Sequence, residues 1–159
     1  MCYKYIRQKN NYSCGPIALY NLLTWANAHD SMSYRDIYKL TKCDSTHGTK
    51  TLHFTAALEK LTHESINLKT INNFKKFNQL QKILLENKNL CAIIEYEQRE
   101  SYLHFVLVFS KNKKLFIVNQ HANKHFLLVV QKIENLDFIM NFNTKKHHPL
   151  VWMIIQKQY

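Results

Sequence analysis

Gln8-Lys-Asn-Asn-Tyr-Ser-Cys14-Gly-Pro-Ile-Ala-Leu-Tyr-Asn-Leu-Leu-Thr-Trp-Ala-Asn27 is the stretch that decides how this chain is built. From Cys14 to Asn27 it is apolar nearly all round, with Ile17, Ala18, Leu19, Leu22, Leu23, Trp25 and Ala26. A helix of that composition is central and buried. Pro16 opens it, because a proline in the first helical turn gives up an N–H that has no partner there anyway. Cys14 therefore stands at the helix N-terminus, where the positive end of the dipole favours a thiolate. With an imidazolium nearby, such a thiol is expected at a lowered pKa, roughly 3.5–7.5. Gly15 keeps bulk away from the sulfur, so a substrate backbone has room to approach. Gln8, six residues before Cys14, offers a side-chain amide that can donate to an oxyanion. The Cys14 backbone N–H is the second donor, and one such donor is typically worth about 10²–10³ in rate.

A thiol nucleophile needs a base from elsewhere in the chain. His104 begins the apolar run His104-Phe-Val-Leu-Val-Phe109, and Asn119 ends Leu115-Phe-Ile-Val-Asn119. Ser110–Lys114 reads as a hairpin turn between them. In a hairpin the start of one strand lies beside the end of its partner, which places Asn119 near His104. Asn119 would then hold the imidazole in its working tautomer; Gln120 or Asn123 takes that place if the register differs. Spatial adjacency, not order in the chain, is what a Cys–His–Asn site requires.

Working outward, Ser33-Tyr-Arg-Asp36 resembles a capping box and starts a short helix with Ile37 and Leu40 at helical spacing. A further helix is expected over Thr51–Leu61, with Leu52, Ala56, Leu58 and Leu61 inward, and a fourth from Phe77 or Asn78 to Glu86. Strands are expected at Leu90–Glu95, His104–Phe109, Leu115–Val118, Phe126–Val130 and Val151–Ile155. Helices first and antiparallel strands later make an α+β domain, a set of N-terminal helices packed against a C-terminal sheet. No repeat, linker or low-complexity tract divides residues 1–159, so one domain is expected. A chain of 159 residues is long enough to bury a core without disulfide or metal support.

No apolar run approaches the roughly 20 residues that span a bilayer, and the N-terminus has no hydrophobic signal core. The expected location is cytoplasmic, with Cys2, Cys14, Cys43 and Cys91 as reduced thiols. Cys91, inside a strand, is expected to be inert. Cys43, His47 and His53 match none of the usual paired-ligand zinc spacings, so no metal is expected. His147-His148 reads as part of a solvated, lysine-rich turn. The net charge of +11 favours acidic partners, but the residues form no ribonucleoprotein, zinc-finger or arginine-rich helical motif, so nucleic acid is not the expected partner.

The Gln8-x5-Cys14-Gly15-Pro16 signature, followed by its apolar helix, resembles the papain-like cysteine peptidase superfamily. It is most similar to the bacteriocin-processing (double-glycine leader) peptidases and their stand-alone relatives. The likeness continues through Gly48-Thr-Lys-Thr-Leu52, Leu103-His104-Phe-Val-Leu-Val108 and Leu115-Phe-Ile-Val-Asn119, in the family's order. It implies a papain-like fold, an acyl-thioester mechanism and no cofactor, with Gly15 and Gly48 among the substrate-binding residues. Two features depart from the family. Asn119-Gln120 stands where members usually have aspartate and proline, although asparagine does the same orienting work in papain itself. The membrane and ATPase domains of transporter-linked members are also missing from this sequence, so their preference for cutting after Gly-Gly is not carried over with the fold.

The expected activity is hydrolysis of a peptide or isopeptide bond in a peptide or protein substrate, an acidic leader or a Gly-Gly tail being the two candidates. Two alternatives use the same fold: a non-catalytic peptide-binding module, and an acyl transferase in which an amine or thiol replaces water.

Overall fold

A computed structural model of the chain describes residues 5–64, 68–73, 77–99, 102–118, 130–137, 139 and 149–156. Among these residues four α-helices, α1 (Cys14–Trp25), α2 (Tyr34–Leu40), α3 (Thr51–Glu64) and α4 (Phe77–Glu86), accompany six strands. The strands are β1 (Leu68–Asn73), β2 (Leu90–Arg99), β3 (Tyr102–Lys111), β4 (Lys114–Val118), β5 (Val130–Ile133) and β6 (Leu150–Gln156). They form one sheet in the order β1-β6-β2-β3-β4-β5, every pairing antiparallel. The α+β architecture is the one the sequence pattern predicts. No helix among the described residues is long and apolar enough to cross a membrane.

Helix α1 is buried on nearly every side, from Cys14 through Trp25, as its composition requires. It stops in a Schellman geometry: Asn27 takes φ +56, the Asn27 N–H bonds to the Thr24 carbonyl and the Ala28 N–H to the Leu23 carbonyl. Asn27 therefore ends the helix as its left-handed cap and is not its last turn. Ser33 caps α2 as predicted, accepting from the Asp36 N–H.

Alternation along β3 divides the core in two. Phe105, Leu107 and Phe109 face α1 and α3, while Val106 and Val108 face the opposite side with Leu80 and Leu84 of α4. The sheet is thus covered on both faces, and α4 alone lies apart from the other helices. β6 runs Val151-Trp-Met-Ile154 buried throughout, the near-continuous apolar stretch of a strand with both faces packed.

Two expectations change in the structure, and a third falls mostly outside the described residues. Leu52 and Ala56 are exposed, Leu52 at 77%, and the inward face of α3 is Phe54, Ala57, Leu58 and Leu61. Phe54 sets that face by stacking on Phe105, centroids 4.2 Å apart, a larger apolar gain than Leu52 could make. β1 was not expected, because Leu68-Lys-Thr-Ile-Asn-Asn73 has little strand character. It is an edge strand recruited by β6, with a register shift between Thr70 and Asn72. Of the strand expected at Phe126–Val130, only Val130 lies within the described residues, where it begins β5.

Candidate active site

Cys14 is the first residue of α1, and the segment before it is tied down from two sides. Asn10 Oδ1 accepts from the Tyr12 and Ser13 N–H groups at 3.1 and 2.9 Å, an Asx turn that aims the chain into the helix. Asn21 of α1, fully buried, clamps Ile6 by accepting from its N–H and donating to its carbonyl, both at 2.9 Å. Gln8 lies half-buried between these two anchors.

The loop between α2 and α3 closes the other side. Asp44 and Gly48 exchange both backbone hydrogen bonds at 3.1 and 3.0 Å, and the Cys43 thiol donates to the Tyr12 carbonyl at 3.3 Å. Gly48 has φ +68, and a Cβ there would stand 3.2 Å from the Tyr12 carbonyl oxygen. Gly15 has a steric reason too: a Cβ would lie 2.6–2.9 Å from three atoms of the Thr49 side chain. Both glycines thus let the Gly48–Thr49 segment press against the base of α1. Among the described residues no three metal-ligating side chains come together; His47 turns to Asp44 at 3.3 Å.

From α1 the sulfur reaches across to β3. Cys14 Sγ donates to the Leu103 carbonyl at 3.8 Å, and the Phe105 N–H points at the same sulfur. Residues 103 and 105 turn their backbone groups to one edge of the strand. Within the described pairing, β4 covers that edge only from Leu107 onward. The sulfur therefore touches the strand on either side of His104. His104 is buried, at 3% exposure. It is the cross-strand partner of Tyr96, and the two rings meet edge to face with centroids 5.8 Å apart. Asn119 lies outside the described residues; Val118, the last described residue of β4, faces Leu107.

The thiol behaves differently from the expectation drawn from the helix dipole. Burial pushes Cys14 up from its ordinary value of 9.0 to about 11, against the opposing pull of the Phe105, Gly15 and Cys14 backbone N–H groups. The helix N-terminal donors are where the sequence predicts them and the Phe105 N–H adds one it did not, but desolvation outweighs them all. The resting sulfur is a neutral thiol. Cys91, fully buried, is raised well above its ordinary value by desolvation.

Tyr96, Asn21 and Thr49 escaped the sequence reading. Tyr96 could not be found by counting back from the turn: Arg99 faces Tyr102, which in an unbroken ladder sets Tyr96 against Phe105, and the irregularity between Glu97 and Arg99 brings it opposite His104 instead. Asn21 is signalled only as an amide set among the apolar residues of α1.

Comparison with known proteins follows the same lines. The Peptidase C39 family model matches residues 2–145. No curated protein matches the chain. Among solved structures, a double glycine motif protease from an AMS/PCAT transporter, in complex with its leader peptide, is similar with a TM-score of 0.59. It is 18% identical, and the similarity covers 94% of this chain and 89% of that one. That likeness bears on the fold, and the family match on the identity: a sulfur at the mouth of a buried helix, set against a histidine-bearing strand, belongs here to a member of the Peptidase C39 family, a cysteine peptidase.

Proposed function

We propose that this peptidase cleaves a peptide or isopeptide bond with Cys14 as nucleophile and His104 as its base. The observation that carries the reading is the Cys14 sulfur held against the β3 backbone on both sides of His104. Because the resting thiol is neutral, the cycle starts with proton transfer. His104 takes the thiol proton as the sulfur forms a bond to the scissile carbonyl carbon, and the negative charge moves to the carbonyl oxygen. Gln8 and the Cys14 N–H donate to that oxyanion. The carbon–nitrogen bond then breaks, the imidazolium proton leaves with the amine, and an acyl thioester remains on Cys14. Water attacks the thioester, gives its proton to His104, and the acid departs as the thiol is restored. Asn119 orients the imidazole in this scheme.

In this reading Gly15 and Gly48 shape the substrate path beside the sulfur by letting the Gly48–Thr49 segment close on α1. The double-glycine specificity of the similar solved protease supports a substrate that ends in Gly-Gly before the cut. The net charge of +11 supports an acidic leader or protein around it. Residues 1–159 act as one catalytic domain in this reading. A panel of fluorogenic peptides ending in Gly-Gly, Gly-Ala, Ala-Ala and Leu-Arg tests it. Release from the Gly-Gly member by the native protein and none by Cys14→Ala is expected. Equal turnover by Cys14→Ala would remove the nucleophile, and silence on Gly-Gly with activity on another tail would remove the specificity.

A further inference from the structure

Tyr96 belongs to none of the catalytic roles above, yet it occupies the wall beside His104. It is the direct cross-strand neighbour of His104, so the two side chains leave the sheet on the same face. The phenol ring is 2% exposed and packs into the apolar cluster of Val106, Val108, Leu80 and Leu84. Its ring meets the imidazole at an interplanar angle of 83° with centroids 5.8 Å apart, the edge-to-face arrangement aromatic pairs prefer.

We propose that Tyr96 is a positioning residue for this peptidase: its buried ring holds the His104 imidazole toward the Cys14 sulfur and steadies the imidazolium formed when the thiol gives up its proton. The inference rests on the assignment of Cys14 and His104 made above. A cation within about 6 Å of an aromatic centroid gains from the ring's charge distribution, more so when water is excluded. The Tyr96–His104 separation of 5.8 Å and angle of 83° accommodate an imidazole edge over the phenol face, the arrangement this proposal takes. A thiolate at Cys14 would lie close enough to raise the Tyr96 phenol, so all three groups share one desolvated region. Burial, and then that charge, raise the Tyr96 phenol far above its ordinary value of 10.0. It stays neutral throughout, a wall for the imidazole and not a competing base.

The ring, rather than the hydroxyl, does this work, which separates two variants. On a Gly-Gly fluorogenic peptide, Tyr96→Leu is expected to lower kcat about 10-fold with KM changed less than about 3-fold. Because the imidazolium loses its ring, the acidic limb of the kcat/KM profile is expected to move down by about half a pH unit to one unit. Tyr96→Phe is expected to recover most of kcat and return the limb to its native position. If Tyr96→Leu does not fold, Tyr96→Met replaces it. The native protein gives an independent readout: the ring protons of His104 in histidine-labelled NMR spectra are expected to be shifted upfield by the Tyr96 ring. Unshifted ring protons, or a Leu or Met variant with native kcat and pH limb, would overturn the proposal. His104→Ala is measured alongside. If it retains turnover, the assignment of the base has failed; if it is inactive while Tyr96→Leu is unchanged, only the role of Tyr96 has failed.

Discussion

Asn21 holds Ile6 by both of its backbone groups at once, accepting from the N–H and donating to the carbonyl at 2.9 Å each. A single amide at the centre of a buried helix therefore fixes the chain two residues before Gln8. It sets how the incoming segment approaches Cys14.

Replacing that amide with an apolar side chain strands both groups of Ile6. Asn21→Leu is expected to cost about 1–3 kcal/mol of stability, the penalty for buried polar groups left unmade. The denaturation midpoint reads this directly. A loss below about 0.5 kcal/mol would mean that Ile6 finds water or another partner at little cost.

Gly15 and Thr49 make a second test, independent of chemistry. The added methyl of Gly15→Ala must displace the Thr49 side chain, whose atoms stand 2.6–2.9 Å from where it would sit. Overpacking of this kind costs about 1–3 kcal/mol. Combining it with Thr49→Gly removes the obstacle, so the double variant is expected to lose less than the sum of the two single losses. Additive losses would contradict the close approach.

The buried thiol gives stability a pH dependence with a definite sign. Folding raises Cys14 from 9.0 to about 11, so the folded state holds its proton more tightly than the unfolded chain. Its contribution is complete below pH 9 and is lost as pH rises to about 11, amounting to about 3 kcal/mol at 1.36 kcal/mol per unit. Cys14→Ser lacks a group that titrates there. Unfolding free energies of the two proteins, measured from pH 8 upward, are expected to converge or cross as the native protein weakens faster. A constant difference across that range would refute the burial of a neutral thiol.

At the far end of the β3–β4 hairpin, Asn112 and Lys113 both take positive φ, 53 and 57. Two such residues form the type I′ turn that matches strand twist, and glycine is favoured at the second position. Lys113→Gly is expected to stabilise the protein by about 0.5–1 kcal/mol, relief of the left-handed conformation exceeding glycine's entropic penalty. A lowered melting temperature would show that Lys113 makes a compensating contact.

Much of this organisation was legible because single residues carry it. Pro16 and the apolar run after Cys14 announce the central helix, and Ser33 with Asp36 announces α2. The His104 strand and the turn after Ser110 announce a hairpin, found as β3 and β4. What escaped depends on partners distant in sequence. β1 is a strand because β6 pairs with it, and β6 enters the sheet between β1 and β2, an order no local pattern specifies. The face of α3 turned on whether Leu52 or Phe54 met the sheet, which the Phe105 ring decides. The thiol's direction of shift depended on burial by the whole fold, which the dipole argument could not weigh. Asn119 lies outside the described residues, so its part in the site remains the proposal made above.

The most direct measurement is mass spectrometry of the protein after brief exposure to a Gly-Gly peptide carrying an electrophilic carbonyl, native beside His104→Ala. The account predicts one adduct, on Cys14, formed rapidly in the native protein and at least about 100-fold more slowly without the imidazole, the scale of a positioned base. An adduct on Cys43 or Cys91 instead, or one on Cys14 that forms equally fast in both proteins, would contradict it.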